Sequence, residues 1–173
     1  MPDTIVLETA LTADEIRVIA GGARLEFGET AQGRIVAARA IVEALVDQGI
    51  RGYGINTGVG ALCDVIIDRK DQSALSRNLL FSHACGVGEP LGRIETRAIM
   101  AAQINNFAHG YSGIRLDLVD TLLALLNNDM LPLIPSRGSV GYLTHAAAFG
   151  LVLIGAGECL DGEKVISGSE ALQ

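Results

Sequence analysis

Three short segments of this chain carry the side chains best suited to chemistry. The first is Tyr53-Gly54-Ile55-Asn56-Thr57-Gly58-Val59-Gly60, a phenol and a carboxamide inside a run of glycines. The second is Asn78-Leu79-Leu80-Phe81-Ser82-His83, ending in an imidazole. The third is Gly138-Ser139-Val140-Gly141-Tyr142, with His145 close behind. A phenolate is a strong base and an imidazole can relay a proton near neutral pH. The glycine run is not a phosphate loop, because no Gly-Lys-Ser/Thr follows it. It is not a dinucleotide fingerprint either, because no strand-loop-helix unit surrounds it. Taken alone, a glycine cluster reads as a tight turn, and a histidine at a helix end reads as a donor to a terminal carbonyl. His83, His109 and His145 are too scattered for a metal cluster, and Cys63, Cys85 and Cys159 form no CxxC pair.

Helical spacing supplies the elements that position these groups. Thr12-Ala13-Asp14-Glu15 is a capping-box pattern, so a short helix runs from Thr12 to about Ile19 and stops at Gly21-Gly22. Ile35, Ala38, Ile41, Val42, Leu45 and Val46 recur at helical period, which predicts a helix over 31–46. Residues 51–68 read as a loop with short strands at most. Helical pattern returns from Asp71 through Phe81. Gly86 to Gly92 reads as a second irregular loop. Further helices are expected over 94–109, 116–126 and from Tyr142 or Leu143 to about 154. Two prolines exclude a regular helix over 131–140, and 162–169 reads as a polar hairpin or turn. Nothing alternates for long, so the expected fold class is mainly α, as one domain over 1–173.

Composition narrows the function. The 173 residues are 49% hydrophobic and 19% charged, which excludes a disordered or fibrous chain. A net charge of −7 argues against binding nucleic acid or an anionic membrane. The apolar run 146–156 is too short for a membrane span. An odd cysteine count and an N-terminus without a basic, then apolar, leader point to a reduced cytoplasm. Only 4% aromatic residues, no tryptophan and 21 glycines leave little apolar area per residue. The composition suggests a chain whose core is completed by another chain.

The three segments, in this order and spacing, resemble the aromatic amino-acid ammonia-lyases of the histidine and phenylalanine type. Gln103-Ile104-Asn105-Asn106 and the following Tyr111-Ser112-Gly113-Ile114-Arg115 are a further match. The resemblance implies a helical lyase fold of the fumarase/aspartase kind. It implies Tyr53 as the base that takes the β-proton, with His83 near the substrate. It implies Asn56 holding the loop or touching substrate, and Gly60 and Asn105 lining the site. Nearby donors or positive charge would have to stabilise the Tyr53 phenolate.

Two departures matter. In the family an Ala-Ser-Gly triad follows Gly-Ser-Val-Gly and cyclises to a methylidene-imidazolone, the electrophile that makes ammonia a leaving group. Here Gly141 is followed at once by Tyr142. Either the cofactor was omitted after Gly141, or it is absent and the amine leaves by another route. A quaternary ammonium, as in a betaine of histidine, would leave without covalent activation, and Tyr142 or His145 could occupy the vacated space. The second departure is length: the resemblance covers the N-terminal third of a family member. The central helical bundle and its carboxylate-binding arginine would come from a second polypeptide around a tetrameric core. A non-catalytic binding or regulatory subunit is the competing expectation.

Overall fold

The computed structural model describes residues 4–138 and 143–173. Strands β1 (Thr4–Leu7) and β2 (Arg24–Phe27) pair in parallel, and helix α1 (Ala13–Ala20) crosses between them. Parallel strands need such a crossover. The α1 start follows the capping pattern. Thr12 Oγ1 accepts from the Glu15 N–H at 3.2 Å, and the Glu15 carboxylate accepts from the Thr12 N–H at 2.7 Å. The Thr12 N–H and then its hydroxyl, both donating to that carboxylate, hold the Glu15 carboxyl below its usual range.

Helix α2 (Glu29–Asp47) is buried only in its first half, at Ala31, Ile35 and Ala38. Ile41, on the face that the spacing predicted to pack, is 69% exposed. A long loop then leads to α3 (Gln72–His83). Strand β3 (Val87–Pro90) follows, where the sequence predicted irregular loop. It pairs antiparallel with β5 (Pro135–Arg137), and that partner, remote in sequence, overrides the local glycine and proline signals.

Helix α4 (Arg93–Ala108) is the central element. Met100, Ala101, Ile104 and Ala108 on it are inaccessible to solvent, and it packs on α1, α2 and α5 (Leu116–Asn127). Val119, Leu122 and Leu126 of α5 close the core from the other side. Strand β4 (Met130–Pro132), helix α6 (Leu143–Leu153) and the hairpin β6 (Glu158–Asp161) and β7 (Lys164–Ser167) complete it. The short helix α7 (Gly168–Ala171) ends the chain with a second capping box at Ser167 and Glu170.

Arg97 ties this core together. Its side chain is 3% exposed. Its guanidinium donates to the carbonyls of Ile19, Ala23 and Leu126 at 3.0, 3.0 and 2.6 Å, and to Asp129 at 2.9 Å. The planar fork thus satisfies carbonyls at the C-terminal ends of α1 and α5 together, which a lysine could not. Burial pulls the guanidinium down from its ordinary value, and Asp129 opposes that. Burial would raise the Asp129 carboxyl, but hydrogen bonds from Arg93 and Arg97 outweigh it and hold the group low.

Candidate active site

The loop after α2 is folded around two polar side chains rather than apolar ones. Asn56 is 5% exposed. Its Oδ1 accepts from the Gly52 N–H at 2.8 Å and its Nδ2 donates to the Ile50 carbonyl at 2.9 Å. Thr57 is fully buried beside it, accepting from the Gly54 N–H at 3.2 Å and donating to the Gly58 carbonyl at 2.9 Å. Backbone bonds from Ile67 N to Asn56 O and from Gly58 N to Val65 O pull the two ends of the loop together. Asn56 is therefore a clamp on the loop, with its amide oxygen and nitrogen each bonded to the backbone.

This clamp puts Tyr53 on the outside. Tyr53 is 66% exposed and its hydroxyl oxygen accepts from the Gly60 N–H at 3.2 Å. Gly60 has φ +58, a conformation that L side chains enter only with strain, and it is this turn that aims the N–H back at the phenol. Gly58 is fixed for a different reason: a Cβ there would stand 2.7 Å from the Leu62 carbonyl oxygen. The arrangement gives the phenol oxygen a backbone donor and leaves the ring open to whatever covers this face.

His83 closes α3. Its Nδ1 lies 2.8 Å from the Leu79 carbonyl oxygen and 3.0 Å from Ser82 Oγ. A carbonyl can only accept, so the hydrogen-bond network assigns the neutral ring its proton on Nδ1, leaving Nε2 as the acceptor. The chain leaves α3 through Gly86, which is close-packed against Pro135 and Thr144. Thr144 Oγ1 donates to the Gly138 carbonyl at 3.3 Å. The His83 end of α3 and the Gly138 segment are therefore adjacent. Tyr142 lies outside the described residues, as do Ser139, Val140 and Gly141. One turn into α6, His145 Nε2 is buried with no hydrogen-bond partner among the described residues.

Asn105 is placed differently from the others. It sits on α4, and its Oδ1 accepts from the Leu11 N–H at 2.8 Å, fixing the segment before α1. Two features went unseen in the sequence. Thr57 stood inside the glycine motif, but nothing in its neighbours marked it as a buried pin. The other is a cleft of about 680 Å³ beside the loop, bordered by Gly54 and Ile55, by Ser73, Ser76, Arg77 and Leu80 of α3, and by the start of α5. Among the described residues, no group of three or more His, Cys, Asp or Glu could hold a metal ion. No described helix is long and apolar enough to cross a membrane.

A small-strand, mainly helical scaffold with a polar-clamped Tyr-Gly loop across a cleft from a helix that ends in Ser-His is the N-terminal portion of the ammonia-lyase fold. The structure of histidine ammonia-lyase from Trypanosoma cruzi superposes with a TM-score of 0.88 at 33% identity, covering 98% of this chain and 33% of that one. The aromatic amino acid lyase family matches residues 11–173, and the chain belongs to that family. It is 41% identical over 174 aligned positions to the histidine ammonia-lyase of Myxococcus xanthus, covering 99% of this chain and 33% of that enzyme. The ergothioneine-degrading enzyme ergothionase from Treponema denticola matches with a TM-score of 0.93 at 28% identity, over 98% of this chain and 35% of that one. The chain thus spans about a third of the length of the curated relatives it matches.

Proposed function

We propose that this chain is the N-terminal portion of a carbon–nitrogen lyase that eliminates an amine from a histidine-like aromatic amino acid or its betaine, with Tyr53 as the β-proton base. The observation that carries the reading is the exposed Tyr53 phenol with the Gly60 N–H directed at its oxygen. A phenol used only for packing has no need of an open face. In the reaction the Tyr53 phenolate takes a proton from Cβ. The C–H electron pair forms the Cα=Cβ bond and the Cα–N bond breaks with its pair on nitrogen. Gly60 N–H steadies the base, and His83 Nε2 faces the substrate as an acceptor for a donor on its ring. Asn56 acts through the loop, by holding Tyr53 in place. Gly60 and Asn105 are the remaining proposed contributors, Asn105 through the Leu11 segment it fixes, and Tyr142 or His145 would take over the space that the missing triad vacates.

The leaving group decides the substrate. The methylidene-imidazolone of the family forms from Ala-Ser-Gly, and no such triad occurs in the 173 residues. The residues present do not fit that group, so no step is derived through it. A trimethylammonium group leaves as a neutral amine and needs neither protonation nor a covalent adduct. Similarity to an ergothioneine-degrading enzyme, of the histidine-betaine type, supports this version. The rest of the site, including the group that binds the substrate carboxylate, would come from a second polypeptide around a tetrameric core. A binding subunit without chemistry is the second reading. It is favoured by the commitment of Asn56 and Asn105 to backbone groups.

Intact-mass spectrometry of the complex purified under native conditions tests the reading. The encoded 18.1 kDa mass together with a larger second chain is expected. A mass greater by Ala-Ser-Gly less two waters would restore the conventional ammonia-lyase. The encoded mass with no partner would favour the binding subunit.

A further inference from the structure

His83 and the Gly138 segment come from remote parts of the chain and are brought together by β3 and β5. Val87 pairs with Arg137, which sets Gly86 opposite Gly138. Gly138 has φ +95, and a Cβ on it would stand 3.5 Å from Gly86 Cα. Gly86 does not take a positive φ, so glycine is needed there for space and not for conformation. A Cβ at Gly86 would stand 2.9 Å from Pro135 Cβ and 3.0 Å from Thr144 Cγ2. Further along the same pair of helices, a Cβ at Gly150 of α6 would stand 2.7 Å from Leu80 Cδ2 of α3. The end of α3 that carries His83 is therefore drawn close to α6, with a glycine at each approach.

Thr144 is the polar residue at this contact, and it is 5% exposed. Its two branches meet different parts of the site. The methyl meets Gly86, just beyond His83, and the hydroxyl donates to the Gly138 carbonyl at 3.3 Å. A valine would fill the same space without a buried hydroxyl to satisfy, so packing alone does not call for threonine. The bond is long for a hydroxyl donor and adds little to stability. What it fixes is the direction of the Gly138 carbonyl relative to the His83 end of α3. Bonds in catalytic sites are often long without substrate and tighten in the complex. A displacement of about 1 Å at such a place, away from the reacting atoms, can cost about 100-fold in rate.

We propose that Thr144 is a positioning residue of the lyase site, holding the Gly138 carbonyl with its hydroxyl and setting the approach of the His83 segment with its methyl. This rests on the lyase reading above, in which His83 meets the substrate ring. Thr144 acts through Gly138 and Gly86, and the hydroxyl is the part that bears on the reaction.

The test uses the assembled lyase that contains this chain and measures kcat and KM for amine release from the trimethyl betaine of histidine and from histidine. Thr144→Val removes the hydroxyl and keeps the shape. Thr144→Ser keeps the hydroxyl and removes the methyl. Gly86→Ala forces the two segments apart. Circular dichroism melting follows the fold of each variant. Thr144→Val is expected to lose about tenfold or more in kcat, with KM within about threefold and the melting temperature within about 3 °C of wild type. Thr144→Ser should restore kcat to within about threefold of wild type. Gly86→Ala should also lower kcat, and combining it with Thr144→Val should cost less than the two losses multiplied, because both disturb one contact. Wild-type kcat in Thr144→Val overturns the inference and leaves the lyase reading standing. So does a Thr144→Ser as slow as Thr144→Val, or a loss of kcat that only follows a loss of melting temperature. No amine release by the wild-type lyase from either substrate overturns the lyase reading and this inference with it.

Discussion

Asn56→Ala should open the Tyr53 loop without unfolding the protein. The side chain satisfies two backbone groups, the Gly52 N–H at 2.8 Å and the Ile50 carbonyl at 2.9 Å. Gly52 is buried, so its N–H would be orphaned at a cost of about 1–3 kcal/mol. The Ile50 carbonyl lies nearer the surface, where water can replace the amide, and its loss is worth about 0.5–1.5 kcal/mol. Together they amount to roughly 2–4 kcal/mol of local opening free energy, or about 30- to 1000-fold in the opening equilibrium. The loop contributes few buried apolar contacts, so the loss should remain local. The assay is amide hydrogen exchange in the regime where closing outpaces exchange. Gly52, Ile67 and Gly58 should lose protection by that factor, while Met100 and Leu122 on the core helices change little. Equal exchange at Gly52 in the two proteins would refute the clamp. So would equal loss at Gly52 and Met100, which would make the loop part of the global unit.

The other predictions concern the scaffold that holds the loop. Arg97→Met should cost about 3 kcal/mol in urea unfolding, the low end for breaking a buried charge pair, because Asp129 stays paired with Arg93 at 2.7 Å. Arg93→Met, an exposed pair, should cost no more than about 1 kcal/mol, and equal losses would remove the keystone role of Arg97. Gly60→Ala should cost about 1 kcal/mol, from positive φ alone, since nothing lies within 4 Å of the new Cβ. Gly58→Ala should cost more, because the Leu62 backbone must move. Exposed Cys85 should alkylate readily at pH 8, whereas buried Cys159, its thiol pushed up to about 11 by desolvation, should resist until the chain unfolds. Labelling of Cys159 in the folded protein, read by mass spectrometry, would contradict its burial.

What could be read from the sequence was local, and what could not was relational. The Thr12–Glu15 capping box, the helical stretches and the helix-breaking prolines at 132 and 135 are decided by neighbours within one or two turns, and each is found in the structure. Strands β1 and β2, four residues each, are too short to show alternation, and their pairing joins residues 20 apart. The second half of α2 has a proper apolar period and is still exposed, because periodicity states which face could be buried and not whether a partner is there. In the site, Tyr53, Asn56 and Gly60 stood out as a motif, but the division of labour among them depends on loop closure. That division has Asn56 buried, Gly60 turned by positive φ and Tyr53 outside. Arg77 had no sequence signal at all; only the structure places it over Phe81 at the edge of the cleft beside the loop.

The central proposal is that Tyr53 takes the β-proton in a carbon–nitrogen lyase. The most direct test is amine release from the trimethyl betaine of histidine, and from histidine itself, by the assembled lyase that contains this chain, comparing wild type with Tyr53→Phe. The proposal predicts trimethylamine release by the wild-type lyase, and a fall of about 100-fold or more in Tyr53→Phe with the assembly intact. Unchanged turnover in Tyr53→Phe would contradict it.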